Sequence, residues 1–81
     1  MTRAWFEKRA IRKAEQRLGV ARGWWGTYAD VHGPAGERVR RSGWVWIVSQ
    51  DGVVVSRHES RRYAIAKARA AGLASTKRRR R

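Results

Sequence analysis

Residues 44–58 read WVWIVSQDGVVVSRH, and this stretch decides the fold. Two runs rich in β-branched and aromatic residues, 44–50 and 53–58, flank the dipeptide Asp51-Gly52. Both positions of that dipeptide tolerate a positive φ, so it favours a two-residue turn and the stretch predicts a β-hairpin. Alternation gives the hairpin two faces, one with Val45, Ile47, Val54 and Ser56 and the other with Trp44, Trp46, Val48, Val53 and Val55.

The segment before the hairpin predicts one further strand and a loop. Residues 24–31 alternate in the manner of a strand, and their better core face carries Trp25, Thr27, Ala29 and Val31. Residues 32–43 contain four chain breakers, Gly33, Pro34, Gly36 and Gly43, which are typical of a loop.

A helix is predicted at each end of the chain. Residues 2–18 contain neither Pro nor Gly and place one apolar stripe at helical spacing, formed by Phe6, Ala10, Ile11, Ala14 and Leu18. Residues 60–74 begin at a good N-cap, Ser60, and carry a stripe of small residues that suits close packing on a sheet.

Together these segments predict a single small α+β domain with the order α-β-β-β-α. A three-stranded antiparallel sheet with both helices packed on one face would bury both stripes and one sheet face. The domain is expected to span residues 1–76. Residues 77–81 lack apolar periodicity and are expected to form a disordered Arg-rich tail.

The charge of the chain points to a polyanionic partner. Twenty Lys and Arg residues stand against six Asp and Glu, which gives a net charge of +14 in 81 residues. Such an imbalance repels itself in a small fold, and a polyanion relieves the repulsion. Because Arg is well matched to phosphates and to bases, the sequence predicts binding to nucleic acid, with duplex DNA and duplex RNA both open.

Three groups of basic residues are candidates for that contact. The first lies in the predicted loop and consists of Arg38, Arg40 and Arg41. The second opens the last helix and consists of Arg61 and Arg62, with Lys67 beyond them. The third is the tail, where Arg78, Arg79 and Arg80 would act as an electrostatic clamp.

Residues 28–74 resemble a double-stranded RNA-binding domain. The matching pieces are Tyr28, Gly33-Pro34, the Asp51-Gly52 turn and Ser60-Arg61-Arg62-Tyr63-Ala64 at the start of the last helix. The resemblance implies that Arg61 and Arg62 grip phosphates across a groove of the duplex, helped by the helix dipole.

Residues 43–71 are similar to a second group, the DNA-binding domains of phage integrases and plant transcription factors that combine a three-stranded sheet with a helix. The matching pieces are residues 43–46, the Asp51-Gly52 turn, residues 55–58 and Tyr63-Ala64. This resemblance implies that an exposed sheet face enters the major groove. Trp44, Trp46 and Arg57 would then contact bases and backbone.

Several function classes are not expected from these residues. The chain has no Cys, so it has neither a thiolate metal site nor a cysteine nucleophile, and no acid is placed by the sequence to orient His58 beside Ser49 and Ser56 as a hydrolytic triad requires. We therefore expect no catalytic residues, no cofactor, no metal and no small-molecule substrate. No apolar run approaches the length of a membrane span, so we expect no membrane partner. We expect a cytoplasmic protein, with association with the nucleoid or the ribosome as an open alternative.

One alternative comes from another class of protein. The chain could be a phage- or plasmid-type accessory protein that docks on an acidic patch of a host protein. Charge would then accelerate association, and exposed Trp would provide the main binding energy. An exposed Trp patch far from the Arg groups would favour this alternative.

Overall fold

A computed structural model describes residues 3–79, including the side chains of residues 9–77 except those of residues 11 and 14. Two helices flank five strands: α1 (Arg3–Leu18), β1 (Trp25–Thr27), β2 (Asp30–His32), β3 (Glu37–Ser42), β4 (Val45–Gln50), β5 (Val53–His58) and α2 (Arg61–Arg79). The strands form one antiparallel sheet in the order β1-β2-β3-β4-β5, so each strand pairs with its neighbours along the chain. The domain is α+β, as expected.

The predicted three-stranded sheet is wrong, because the sheet has five strands. Residues 24–31 do not form one strand. Tyr28 and Ala29 make a turn, and β2 folds back so closely on β1 that a Cβ on Gly26 would lie 2.4 Å from the carbonyl oxygen of Asp30. The predicted loop at 32–43 contains β3, where Val39 alternates with charged residues and pairs with both neighbouring strands.

The predicted hairpin at residues 44–58 is confirmed. Asp51 and Gly52 form its two-residue turn with φ values of 52° and 85°, the left-handed conformations that the dipeptide favours. A β-bulge between Val48 and Ser49 shifts the pairing with β5, so Ser56 pairs with Val48. Ser56 therefore lies on the opposite face from the one that strict alternation predicts.

The core lies between one face of the sheet and α2, which packs against β3, β4 and β5. We call this the covered face. Its centre is a cross-strand row of three fully buried valines, Val31, Val39 and Val48, and α2 adds three buried side chains, Ala64, Ile65 and Ala68. Burying apolar area in this way supplies the main driving force for folding.

The prediction that Trp25 belongs to the core is wrong, and its neighbour Trp24 is buried instead. Trp24 is in the core, whereas Trp25, which the alternation assigned to the core, is 62% exposed. The turn at residues 28–29 resets the register so that Gly26 pairs with Val31 on the covered face. Trp25, one residue earlier, consequently lies on the other face.

The prediction that both helices pack on one face of the sheet is also wrong. Among the described side chains, α2 supplies the helical part of the core and α1 supplies none. Ala10 of the predicted stripe is exposed and Leu18 is half-buried, while the side chains of Phe6, Ile11 and Ala14 lie outside the described residues. Within residues 3–79, no helix is long and apolar enough to cross a bilayer.

Helix α2 is longer than predicted and continues to Arg79 instead of ending near Gly72. Gly72 is buried inside the helix, where a Cβ would lie 2.3 Å from Oε2 of Glu37. Glu37 is itself buried, and one of its carboxylate oxygens accepts a hydrogen bond from the amide of Ala35 at 2.6 Å. Gly72 therefore makes room for a buried carboxylate and does not end the helix. Of the predicted tail, residues 80 and 81 lie outside the described part.

Candidate nucleic-acid interface

The sheet face opposite α2 carries two rows of side chains that run across all five strands. We call it the open face, because within residues 3–79 no helix packs along it. The tryptophan row, in strand order, consists of Trp25, His32, Arg38, Ser49 and Val54. The arginine row consists of Thr27, Asp30, Arg40, Ile47 and Arg57. It lies two residues from the tryptophan row on β1 to β4 and three residues from it on β5, where the bulge adds a residue. Antiparallel pairing thus gathers on one surface residues from every part of the sheet.

The tryptophan row begins with a pair of stacked rings. The ring centroids of Trp25 and His32 lie 4.2 Å apart, with 9° between the ring planes. Together with Arg38, Arg40 and Ser49, these rings line a concavity of about 420 Å³ on the open face. The buried Glu37 also lines it, so the concavity combines a flat aromatic surface and two arginines with one carboxylate.

The arginine row contains a carboxylate that holds a neighbouring guanidinium. Asp30 Oδ1 accepts a hydrogen bond from Arg38 Nε at 2.9 Å, and Oδ2 accepts one from Nη2 at 2.7 Å. The hydrogen bond from Arg38 holds the pKa of Asp30 below its ordinary value, and the same bond raises the pKa of Arg38. Both side chains are partly exposed, so the pair orients Arg38 more than it stabilises the fold.

The same carboxylate also fixes the imidazole in the concavity. His32 Nε2 lies 3.3 Å from Asp30 Oδ1. Since His32 in turn supports the ring of Trp25, one acidic residue orders a chain of three side chains. The site is therefore organised before any ligand arrives.

Two further arginines carry charge that the open face does not neutralise by pairing. Arg40 is half-buried and Arg57 is exposed, and in the described part of the chain neither forms a salt bridge. On β4, Ile47 of the arginine row and Ser49 of the tryptophan row are buried and form the floor of the surface. Arg40 lies opposite Asp30 in the sheet and attracts its carboxylate without forming a salt bridge, so the attraction of the open face for anionic ligands comes from its surplus of positive charge.

A second basic group lies at the junction of α1, the β1–β2 turn and α2. Arg61 donates hydrogen bonds to the carbonyl oxygens of Tyr28, at 3.0 Å, and of Leu18, and its guanidinium lies 3.9 Å from the centroid of the Tyr28 ring. Burial lowers the pKa of Arg61. Arg62 and Arg69 line a concavity of about 500 Å³ beside it. Arg61 thus ties three segments together, whereas Arg62 is exposed to solvent.

The structure brings together only some of the residues that the sequence predicted as contacts. Arg38, Arg40 and Arg57 meet on the open face. Arg41 lies one position further along β3, opposite Trp46, and is exposed. Trp44, in the turn between β3 and β4, is 92% exposed.

The prediction that Trp46 contacts nucleic acid from an exposed sheet face is wrong. Trp46 lies on the covered face, 8% exposed, and packs edge-to-face with Tyr28 at 5.8 Å between ring centroids. The parity of β4 puts Trp46 on the same side as the fully buried Val48, so α2 and its neighbours enclose it.

The remaining predicted contacts belong to α2. Lys67 is exposed, and its ammonium lies 5.4 Å from the centroid of the Tyr63 ring. Arg78 and Arg79 end the helix, with side chains outside the description, and Arg80 lies beyond the described residues.

Sequence reasoning missed the stacked pair, Trp25 and His32. Trp25 was assigned to the core because the turn at residues 28–29 was not recognised, and His32 was assigned to a loop because residues 37–42 were not recognised as a strand. The alternation of Val39 with Arg38 and Arg40 was the available signal, since it is the pattern of a strand with one wet face.

A comparison of the chain with protein-family models, with curated proteins and with solved structures finds no match in any of the three.

Proposed function

We propose that the chain is a non-catalytic nucleic-acid-binding protein whose main contact surface is the open face of the sheet. The observation that carries the proposal is the gathering of Arg38, Arg40 and Arg57 on the one sheet face that α2 leaves uncovered. A net charge of +14 supplies the general attraction to a polyanion. The open face supplies a surface on which that attraction becomes a defined contact.

The residues of the open face would have different roles. Arg40 and Arg57 would contact phosphates, because guanidinium groups match phosphate oxygens in charge and in geometry. Arg38, already held by Asp30, would present its guanidinium in a fixed direction. Trp25 would offer a surface for stacking.

The second basic group would assist without defining the site. Arg62 and Arg69 are exposed and would add attraction from the side of α2. The double-stranded RNA-binding resemblance makes Arg61 and Arg62 the principal phosphate contacts, and that role stays a prediction. The contacts of Arg61 with Tyr28 and Leu18 favour a structural role for it.

The placement of Trp25 favours nucleic acid over an acidic protein partner. A protein-docking surface was expected to show exposed Trp far from the Arg groups, whereas Trp25 lines the same concavity as Arg38 and Arg40. A cytoplasmic location is part of this proposal, because nucleic acid is available there.

Two charge-matched double variants test the proposal. Arg40→Ala/Arg57→Ala removes two charges from the open face, and Arg62→Ala/Arg69→Ala removes two from the α2 side. Affinity for nucleic acid is measured by titration from about 50 to 200 mM salt. The open-face variant should bind at least ~10-fold more weakly than the parent, and its slope of log affinity against log salt should be smaller by about two. The α2-side variant should change affinity less than threefold.

Heparin, a polyanion without bases, serves as the control ligand in the same titrations. The reverse order of the two variants would move the interface to the α2 side, as the double-stranded RNA-binding resemblance implies. Equal affinity for heparin and for every nucleic acid, lost by about 150 mM salt, would refute nucleic-acid recognition and direct attention to a protein partner.

A further inference from the structure

The open face is too wide to enter a groove of a duplex. Five strands at about 4.8 Å spacing place β1 and β5 about 19 Å apart. The major groove of B-DNA is about 12 Å wide, and the deep groove of RNA is narrower still. A duplex that keeps its regular geometry would therefore touch this face through its backbone and would leave the concavity beside Trp25 unused.

A single strand makes different demands, and the open face meets them. Unpaired bases expose flat surfaces that stack on aromatic side chains, while their phosphates follow a cationic groove. Trp25 is 62% exposed although His32 stacks on one side of its ring, so the other side of the indole is accessible. A base stacked there would extend the two rings into a column of three.

The phosphates of such a strand also have partners at a suitable distance. The arginine row lies two residues, or about 7 Å, from the tryptophan row on β1 to β4, and three residues from it on β5. Arg40, which lines the same concavity as Trp25, would take a phosphate next to the stacked nucleotide, and Arg57 on β5, about 19 Å across the sheet, would take a phosphate further along the strand. Asp30 positions Arg38 within the concavity, where Arg38 would contact either the stacked base or the phosphate of the same nucleotide.

Building on the function proposed above, we propose that the open face binds single-stranded nucleic acid, with one base stacked on Trp25, a neighbouring phosphate on Arg40 and a more distant phosphate of the same strand on Arg57. Stacking on an indole tolerates every base, so the site would select for unpaired strands and not for sequence.

The experiment compares three labelled probes by fluorescence anisotropy at about 150 mM salt: a 12-nucleotide oligothymidylate, a 12-nucleotide oligouridylate and a 12-base-pair DNA duplex. At least one single strand should bind about 10-fold more tightly than the duplex. Trp25→Leu should lower single-strand affinity about 10-fold, and Trp25→Phe, which keeps a ring, should retain most of it. Neither should change duplex affinity by more than about twofold.

Tyr63→Ala is the matched control, because it removes an exposed aromatic ring from α2, away from the open face. It should leave single-strand affinity unchanged. Since Trp25 is largely exposed, its variants should melt at the parent temperature in circular dichroism. Should Trp25→Leu unfold, Trp25→Phe still provides a test, because loss of the indole should reduce the quenching of tryptophan emission by the single strand.

The outcomes separate this inference from the function on which it rests. Tighter binding of the duplex, with Trp25→Leu as tight as the parent on single strands, would overturn the single-strand assignment and leave nucleic-acid binding intact. Failure of all three probes to bind at about 150 mM salt would overturn both.

Discussion

The covered and open faces of the sheet are built from alternate residues of the same strands, yet they serve opposite physical ends. On β3, Val39 is fully buried, while Arg38 and Arg40 on either side of it face the solvent. The covered face removes apolar side chains from water and provides the stability of the fold. The open face holds several positive charges close together despite their mutual repulsion. An anionic ligand bound there would relieve that repulsion.

The largest expected effect comes from placing the same polar side chain on the covered face and then on the open face. Val39→Asn buries an amide without partners and should destabilise the protein by about 3 kcal/mol or more. That is close to the whole stability of so small a domain, so its thermal unfolding transition should largely disappear.

Arg40→Asn makes the same substitution one residue away and on the open face. It should change the free energy of unfolding by no more than about 0.5 kcal/mol. Equal melting temperatures for the two variants in circular dichroism would show that the faces do not differ in the way the structure describes.

Substitution of Arg61 should have the next largest effect on stability, because its side chain joins three segments of the fold. Arg61→Ala removes two hydrogen bonds to the carbonyls of Tyr28 and Leu18 and should cost about 1–2 kcal/mol in urea unfolding. Its neighbour Arg62 is exposed, and Arg62→Ala should stay within about 0.5 kcal/mol of the parent. A larger effect at Arg62 would contradict the structural role given to Arg61.

Substitution of Gly72 tests how tightly the buried carboxylate of Glu37 is packed against α2. Replacing a helical Gly by Ala normally stabilises by about 1 kcal/mol, but here the new Cβ would meet Glu37 at 2.3 Å. Glu37 is buried and has Gly33 on its other side, where a Cβ would lie 2.6 Å from Oε1, so it has little room to move. We expect Gly72→Ala to destabilise by about 1 kcal/mol.

The same substitution in a Glu37→Ala background provides the control. With the carboxylate gone, Gly72→Ala should become stabilising in urea unfolding, which reverses the sign of its effect. Destabilisation by Gly72→Ala in both backgrounds would mean that Glu37 is not what excludes a side chain from this position.

The smallest expected effect concerns the Asp30–Arg38 pair on the open face. The pKa of Asp30 lies below its ordinary value of 3.8 in the folded state, mainly because Arg38 donates hydrogen bonds to it. Its stabilisation is therefore fully present above the unfolded pKa and is lost as the pH falls through the lower folded value.

Asp30→Asn should remove that acid-sensitive contribution. Because the pair is partly exposed, the difference between variant and parent should be a few tenths of a kcal/mol at neutral pH and should shrink below about pH 3.8. Urea unfolding at pH 7 and pH 2.5 measures it. A difference that grows on acidification would contradict the assigned sign.

The best-predicted parts of the molecule are those whose structure follows from neighbouring residues. Asp51-Gly52 fixes a hairpin through local φ preferences, and the small-residue stripe of α2 predicted its packing on the sheet, although the same packing predicted for α1 is wrong. The strand β3 was missed because four of its six residues are charged, and its pairing to β2 and β4 is a non-local event.

Errors at the candidate site follow from that missed strand. Without β3, nothing places Trp25, Arg38 and Val54 on one surface, although together they span the sheet. Trp46 was assigned to the wrong side of the sheet, because parity gives two faces and does not say which one a helix will cover.

The sequence alone determined the net charge, the hairpin and the α+β composition, since each depends on residue counts or on contacts a few positions apart. Only the tertiary structure decided that the sheet has five strands, that Trp24 and Trp46 are buried, and that Trp25 shares a surface with Arg38, Arg40 and Arg57. The physical reason is that strand register and helix docking depend on the packing of residues far apart in the chain. A one-residue change in register moves a side chain to the other face.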